Sequence, residues 1–89
     1  MKQIADEIRE YVKDTRIIPS RARGVKIIRI RAGEIRDEMK QKLQWEKVRS
    51  SNVCGALQAL KFESFANVKR IAIEGPGVGT NCIMTFDIL

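Results

Sequence analysis

The segment at residues 48–60 reads V-R-S-S-N-V-C-G-A-L-Q-A-L and contains the signals of a short helix. Ser50, Ser51 and Asn52 carry side-chain oxygens that can accept hydrogen bonds from the first free backbone N–H groups of a helix, and Ser51 is the expected cap. The apolar residues that follow recur at helical spacing, at Val53, Ala56, Leu57 and Leu60. We therefore expect a helix over residues 51–63 with this apolar side buried.

The other side of the predicted helix is small and polar. It carries Asn52, Gly55, Gln58, Ala59 and Lys61. Such a face suits insertion into a groove, whereas a solvated surface helix usually carries long charged side chains. A glycine inside a helix costs about 1 kcal/mol relative to alanine. We expect that Gly55 allows tight packing of the preceding helix; close approach of the backbone to DNA is the alternative.

Length and composition are those of one globular domain. The 89 residues are 44% hydrophobic and 31% charged, which is ordinary for a folded protein. No apolar run approaches the roughly 20 residues that cross a bilayer, and the N-terminal residues lack the apolar core of a signal peptide. We expect no membrane association and a cytoplasmic or nucleoid-associated protein.

The residue types argue against an enzyme. The chain contains no histidine, the commonest general base near neutral pH. The two cysteines, Cys54 and Cys82, cannot complete a structural zinc site, which needs four ligands. We expect both to be small buried residues without a disulfide, and we expect no metal, cofactor or small-molecule ligand.

The positive charge is concentrated in one segment. Residues 16–31 contain six basic and no acidic side chains, a number equal to the formal net charge of the whole chain, +6. A basic block attracts polyanions through its field and through counterion release. Arg16, Arg21 and Arg23 are expected on a loop, where they would contact phosphates. The alternative is a solvated basic loop that binds nothing.

Hydrophobic periodicity predicts the remaining elements. The first helix carries an apolar stripe and should end before Pro19, because the residue preceding a proline is pushed out of the helical region. The hairpin has a tip rich in glycine that lacks lysine and arginine. The predicted elements are a helix at 2–14, a basic loop at 16–24, a strand at 25–31, helices at 33–44 and 51–63, and a hairpin at 68–89.

This order of helix, strand, helix, helix, strand, strand resembles the winged helix-turn-helix family of DNA-binding domains, and S-S-N-V-C-G-A-L-Q-A-L at 50–60 resembles its recognition helix. The resemblance implies an α+β fold, mainly α, in which the short strand joins the terminal hairpin in a small antiparallel sheet. It also implies a transcriptional regulator that binds double-stranded DNA as a homodimer. The first helix or the C-terminal strand would supply the dimer contact.

The resemblance assigns candidate DNA contacts. Asn52 and Gln58 would contact bases, because their amides can bond adenine in bidentate fashion. Backbone phosphates would be contacted at the start of the recognition helix, by the basic residues beside it and by the wing. These candidates are Ser50, Ser51, Gly55, Arg49, Lys61, Arg16, Arg21, Arg23, Lys69, Arg70, Thr80 and Asn81.

Two other interpretations stay open. The chain could be a winged-helix module that docks a protein through the neutral face of the third helix and an acidic surface through the basic loop. RNA binding, or a different strand order, is the third possibility, although the chain lacks the aromatic-studded strand of RNA-recognition domains.

Overall fold

Residues 3–42, 48–75 and 81–89 are described by the computed structural model. Helices and a three-stranded antiparallel sheet make an α+β fold that is mainly helical, as expected. The predicted end of the helix at 33–44 lies outside the described residues. The elements are α1 (Ile4–Val12), a π-helical turn (Lys13–Ile17), α2 (Ile18–Ala22), β1 (Ile27–Arg31), α3 (Ala32–Lys42), α4 (Ser50–Gln58), α5 (Leu60–Ala66), β2 (Val68–Glu74) and β3 (Ile83–Ile88).

The predicted basic loop at residues 16–24 is wrong over most of its length. Helical backbone continues from α1 through the π turn to the end of α2, and the chain turns only at Gly24, where φ is 77°. Pro19 does not stop this run, and it lies in the first turn of α2, directly after the π turn. The proline that predicted a helix end therefore lies inside continuous helical backbone, where the helix changes from π to α spacing.

The predicted helix at 51–63 is two helices. Ala59 has extended backbone, with φ −67° and ψ 139°, and separates α4 from α5. The break changes the direction of the chain, so Leu60 does not share a face with Val53 and Leu57. Leu60 is 77% exposed, and Phe62 is buried instead.

The three strands follow the predicted order in the chain and form the sheet β1-β3-β2. Both pairs are antiparallel, and β3 lies in the centre. Alternate residues of β3 are buried, and the rings of Phe62 and Phe86 meet edge to face with centroids 5.3 Å apart. A β-bulge between Arg70 and Ala72 interrupts β2, whose residues after Val68 are all exposed.

Neither predicted source of a dimer contact is available. The apolar stripe of α1 faces the core, with Ile8 and Val12 fully buried. The C-terminal strand is the central one and is paired on both sides, so it cannot add a strand from a second copy.

Within the described ranges, no helix combines the length and apolar character of a membrane span. Cys54 and Cys82 are buried and form no disulfide, as expected.

A polar contact joins α1 to α3. The Tyr11 hydroxyl donates to Glu38 Oε1 at 2.7 Å. Burial, together with the hydrogen bond to and the charge of the Glu38 carboxylate, raises the pKa of Tyr11 from 10.0 to about 12. The neutral phenol is therefore favoured in the folded state.

The pH dependence of stability tests this contact. A raised pKa in the folded state contributes stability that is present below pH 10 and lost as the pH rises toward 12. We expect the free energy of unfolding to fall more steeply with pH over this range in the wild type than in Tyr11→Phe. The variant lacks the phenol, so its pH dependence comes from the other titratable groups alone. Tyr11 is the only tyrosine, so ultraviolet titration reports its phenolate directly. Equal slopes in the two proteins would contradict the contact.

Candidate nucleic-acid interface

The outward face of α4 is uncharged. Ser51 and Gly55 are exposed, and Asn52 and Gln58 are half-buried. The opposite face packs against α1 and α3 and buries Val53, Cys54, Ala56 and Leu57. Burial of the apolar side was predicted correctly for these residues, and the small polar side lies at the surface.

The start of α4 differs from the prediction. The N-cap is Arg49, and Ser51 lies inside the first turn and makes no cap hydrogen bond. The cap comes from Asn52, whose Oδ1 accepts from the Arg49 N–H at 3.0 Å. Ser50 is buried, and its Oγ accepts from Arg36 Nη1 at 2.9 Å. The predicted phosphate contact by Ser50 stays a prediction.

The cap also changes what Asn52 can do. A bidentate adenine contact uses the amide oxygen as acceptor and the amide nitrogen as donor. In α4 the oxygen of Asn52 already accepts from the backbone. The amide nitrogen is therefore the group that Asn52 offers to a base, as a single donor.

Among the described residues, Gly55 does not pack against another helix. A Cβ atom at this position would meet none of their atoms within 4 Å, so the predicted packing is wrong for this part of the chain. An alanine would fit and would favour the helix by about 1 kcal/mol. Contacts within the described residues give no reason for the glycine. The alternative, close approach of the α4 backbone to DNA, stays a prediction.

The arginines of the predicted loop are held by the chain itself. Arg16 lies in the π turn, forms an ion pair and hydrogen bond with Glu38, and lies 3.6 Å from Glu34. Arg21 Nη2 donates to the carbonyl oxygens of Ala66 and Asn67 at 2.9 and 3.1 Å. The predicted phosphate contacts by Arg16 and Arg21 stay predictions, and they would compete with these contacts inside the chain. Arg23 is exposed at the end of α2.

Arginines also bind carbonyl groups at the C-terminal end of α4. Arg9 Nε donates to the Ala56 oxygen at 3.0 Å, and Arg70 Nη1 donates to the Gln58 oxygen at 3.1 Å. The last carbonyls of a helix lack partners within it, and cations are favourable at this end of the helix dipole. Arg21 has the same role at the end of α5. Part of the positive charge therefore stabilises helix ends.

Replacement of Arg21 by alanine is expected to lower the free energy of unfolding by about 1–2 kcal/mol. The variant loses two charged hydrogen bonds at the end of α5. Part of this loss is offset, because the variant also removes Nε of Arg21, a buried donor without a hydrogen-bond partner among the described residues. Urea unfolding measures the change, and Arg23→Ala is the matched control, expected within about 0.5 kcal/mol of the wild type. Equal losses in both variants would contradict the capping role.

The other predicted contacts are spread over two regions. Arg49 is exposed at the start of α4, and Lys61 lies 3.4 Å from Asp6 of α1. Lys69 and Asn81 are exposed on the hairpin. Thr80 lies outside the described residues.

Arg36 was missed by the sequence analysis. Its guanidinium donates to Ser50 and to Asp37, which places it beside the N-terminal end of α4. No spacing rule could identify this contact, because the two residues come from separate helices. The assembled site is the neutral face of α4, with Arg36 and Arg49 at one end and Arg70 at the other.

The chain was compared with protein-family models, with curated proteins and with solved structures. None of the three comparisons found a match. The geometry of α4 and of the arginines at its ends therefore carries the functional argument.

Proposed function

We propose that this chain binds double-stranded DNA with the outward face of α4 in the major groove. The observation that carries the proposal is an uncharged helix face with guanidinium groups at both ends. The nine residues of α4 span about 13 Å at 1.5 Å per residue, and the major groove is about 12 Å wide. Arg36 and Arg49 would then contact one phosphate backbone, and Arg70 the other.

Gly55 supports the same placement. It lies in the middle of the outward face, where the absence of a side chain lets another molecule approach the helix backbone. Asn52 would donate from its amide nitrogen to a base edge, and Gln58 lies about two turns along the helix from Ser51. Ser51 would contact phosphate or a base edge near the start of the helix.

The winged-helix arrangement is part of the proposal. The sheet order β1-β3-β2 is the one expected when a short strand joins a terminal hairpin. The hairpin of β2 and β3 would form the wing, with Lys69 near the start of β2 and Asn81 just before β3. A single helix contacts few base pairs, so we propose that two copies act on a two-fold site as a transcriptional regulator.

Salt dependence of binding tests the electrostatic part. If the cations at α4 and the hairpin neutralise about four phosphates per chain, log K should fall against log salt with a slope of about −3.6 or steeper. Fluorescence anisotropy with a labelled duplex measures the slope. Arg49→Gln should reduce its magnitude by about 1, whereas Lys26→Gln, which removes an exposed charge before β1, should leave it unchanged. A flat response to salt would refute DNA binding.

Protein docking by the same face of α4 is the second candidate. It is favoured by the intramolecular contacts of Arg16, Arg21 and Arg29, which reduce the charge available for a polyanion. A gel shift on duplexes of mixed sequence separates the two candidates, because a protein-docking module leaves the duplexes unshifted at physiological salt.

A further inference from the structure

The strand β1 has an unpaired edge. Within the described residues it pairs only with β3, in antiparallel register. The Ile88 N–H donates to the Lys26 oxygen at 2.7 Å, and the Ala32 N–H donates to the Cys82 oxygen at 2.9 Å. Hydrogen-bonded residues alternate along such a strand, so the odd-numbered residues direct their backbone groups away from β3. These residues are Ile27, Arg29 and Arg31.

The opposite edge of the sheet is closed. Helix α5 packs against β2, and Glu63 Oε1 accepts from the Arg70 N–H at 3.1 Å on the side away from β3. The β-bulge between Arg70 and Ala72 disturbs the rest of that edge. Bulges and charged side chains are the usual means of preventing strand addition. In the described chain, β1 therefore offers the regular edge.

The side chains of β1 determine which strand could join it. Ile27 is 56% exposed, an apolar surface directly on the edge strand. Arg29 is exposed and forms a surface ion pair with Glu74, which leaves donors of its guanidinium for a second carboxylate. Arg31 is half-buried, and residues 16–31 contain no acidic side chain. The charged side chains of β1 itself, Arg29 and Arg31, are both positive, although Asp87 of the neighbouring β3 lies opposite Ile27.

A second copy of this chain does not fit the edge. In an antiparallel pair centred on Arg29, each Arg29 would lie opposite the other, and Ile27 would lie opposite Arg31. Like charges directly opposite each other on adjacent strands destabilise a sheet. Carboxylates at these positions would instead form charge-assisted hydrogen bonds with the arginines.

We propose that the free edge of β1 is a docking site for an acidic, extended polypeptide segment, which joins the sheet as a fourth strand. Backbone hydrogen bonds to Ile27, Arg29 and Arg31 hold the segment. Its alternate aspartate or glutamate residues face the two arginines, and an apolar residue covers Ile27. This mode of binding takes affinity from the main chain and specificity from alternate side chains. The site is separate from α4, so it does not depend on DNA binding.

Hydrogen exchange on the intact chain tests the proposal. The probe is a synthetic peptide whose alternate residues are glutamate, glutamate and valine with threonine between them, so that one face of the added strand carries two carboxylates for Arg31 and Arg29 and one apolar side chain for Ile27. The readout is exchange at the backbone amides of these three outward-facing residues. We expect the peptide to slow exchange at these amides about tenfold or more, and not at the outward amides of β2. The control peptide has the same sequence with alternate backbone nitrogens methylated, which removes donors and keeps the charge. It should bind at least about tenfold more weakly.

Two variants identify the edge. Ile27→Pro removes one outward N–H without breaking the ladder to β3, since proline is tolerated on the exposed side of an edge strand. It should weaken peptide binding about tenfold, whereas Ile27→Val should not. Arg29→Gln should also weaken binding and should make it less sensitive to salt, and this variant keeps the proposal testable if Ile27→Pro does not fold.

Several results would overturn the proposal. Equal binding of the methylated and unmethylated peptides would reduce the site to charge attraction. Protection of β1 by duplex DNA but not by the peptide would assign the edge to nucleic acid. Protection that rises with protein concentration without peptide would assign it to a second copy of this chain.

Discussion

Replacing Gly55 with glutamate is expected to abolish specific binding to duplex DNA while the fold is retained. Gly55 is exposed, and a Cβ there meets no atom of the residues that the structure describes within 4 Å, so a longer side chain has room to extend into solvent. In the proposed complex the new carboxylate would lie at the closest approach of the helix to DNA. Unfavourable juxtaposition of like charges costs several kcal/mol, so affinity should fall at least about 100-fold.

The matched control is Ser64→Glu, which makes the same charge change at an exposed position of α5. It should lower affinity only slightly, through net charge. Thermal unfolding followed by circular dichroism checks that both variants fold. Gly55→Ala separates stability from binding, since it should stabilise the helix by about 1 kcal/mol and still weaken binding. If Gly55→Glu binds duplex DNA as well as Ser64→Glu, α4 is not the DNA-binding face.

Replacing Phe86 with alanine is expected to lower the free energy of unfolding by about 3–5 kcal/mol. Phe86 lies in the central strand, is fully buried, and meets the ring of Phe62 edge to face at 5.3 Å. Its removal leaves a cavity between the sheet and α5. For a domain of this size each kcal/mol shifts the Tm by about 4–8 °C, so we expect a fall of at least about 12 °C.

Phe65→Ala is the control for the loss of Phe86. Phe65 is on α5 but is 43% exposed, with Lys13 Nζ 4.4 Å from the centre of its ring. An exposed cation–π contact contributes about 0.5–1 kcal/mol, so its loss should be small. Urea unfolding of both variants gives the comparison. A loss at Phe65 equal to that at Phe86 would mean that the core is not centred on β3.

The strands β1 and β3 and the helices α1 and α3 could be predicted because their apolar residues repeat with the period of the element. The same alternation in β2 did not predict burial, since Ile71 and Ile73 are exposed. Ile28 and Ile30 in β1, and Met84 and Phe86 in β3, alternate with polar residues, and the alternating set turns toward the core. The break at Ala59 could not be predicted in this way. Alanine is the best helix former, and no glycine or proline marks the position.

Pro19 shows a second limit of sequence patterns. A proline is compatible both with the end of one helix and with the first turn of the next. Which of these applies depends on whether the backbone before it can remain helical. Here a π turn, where Arg16 pairs with Glu38, joins the two helices. That contact links residues 22 positions apart and is not visible as a local pattern.

In the candidate site, too, local patterns could be predicted from the sequence and contacts between distant residues could not. The uncharged outward face of α4 could be predicted, because helical periodicity alone assigns residues to one side or the other. The use of the basic residues could not. Arg21 binds carbonyl groups 45 and 46 residues away, and Arg9 binds one 47 residues away.

By itself, the amino-acid order determined the class of fold, the buried faces of β1, β3, α1 and α4, and the neutral surface of α4. These properties depend on the spacing of apolar side chains, which acts over a few residues. Only the tertiary structure decided which arginines remain available to a partner. A guanidinium is satisfied equally by a phosphate, a carboxylate or a helix carbonyl, and the choice depends on which of these the folded chain brings within hydrogen-bond distance.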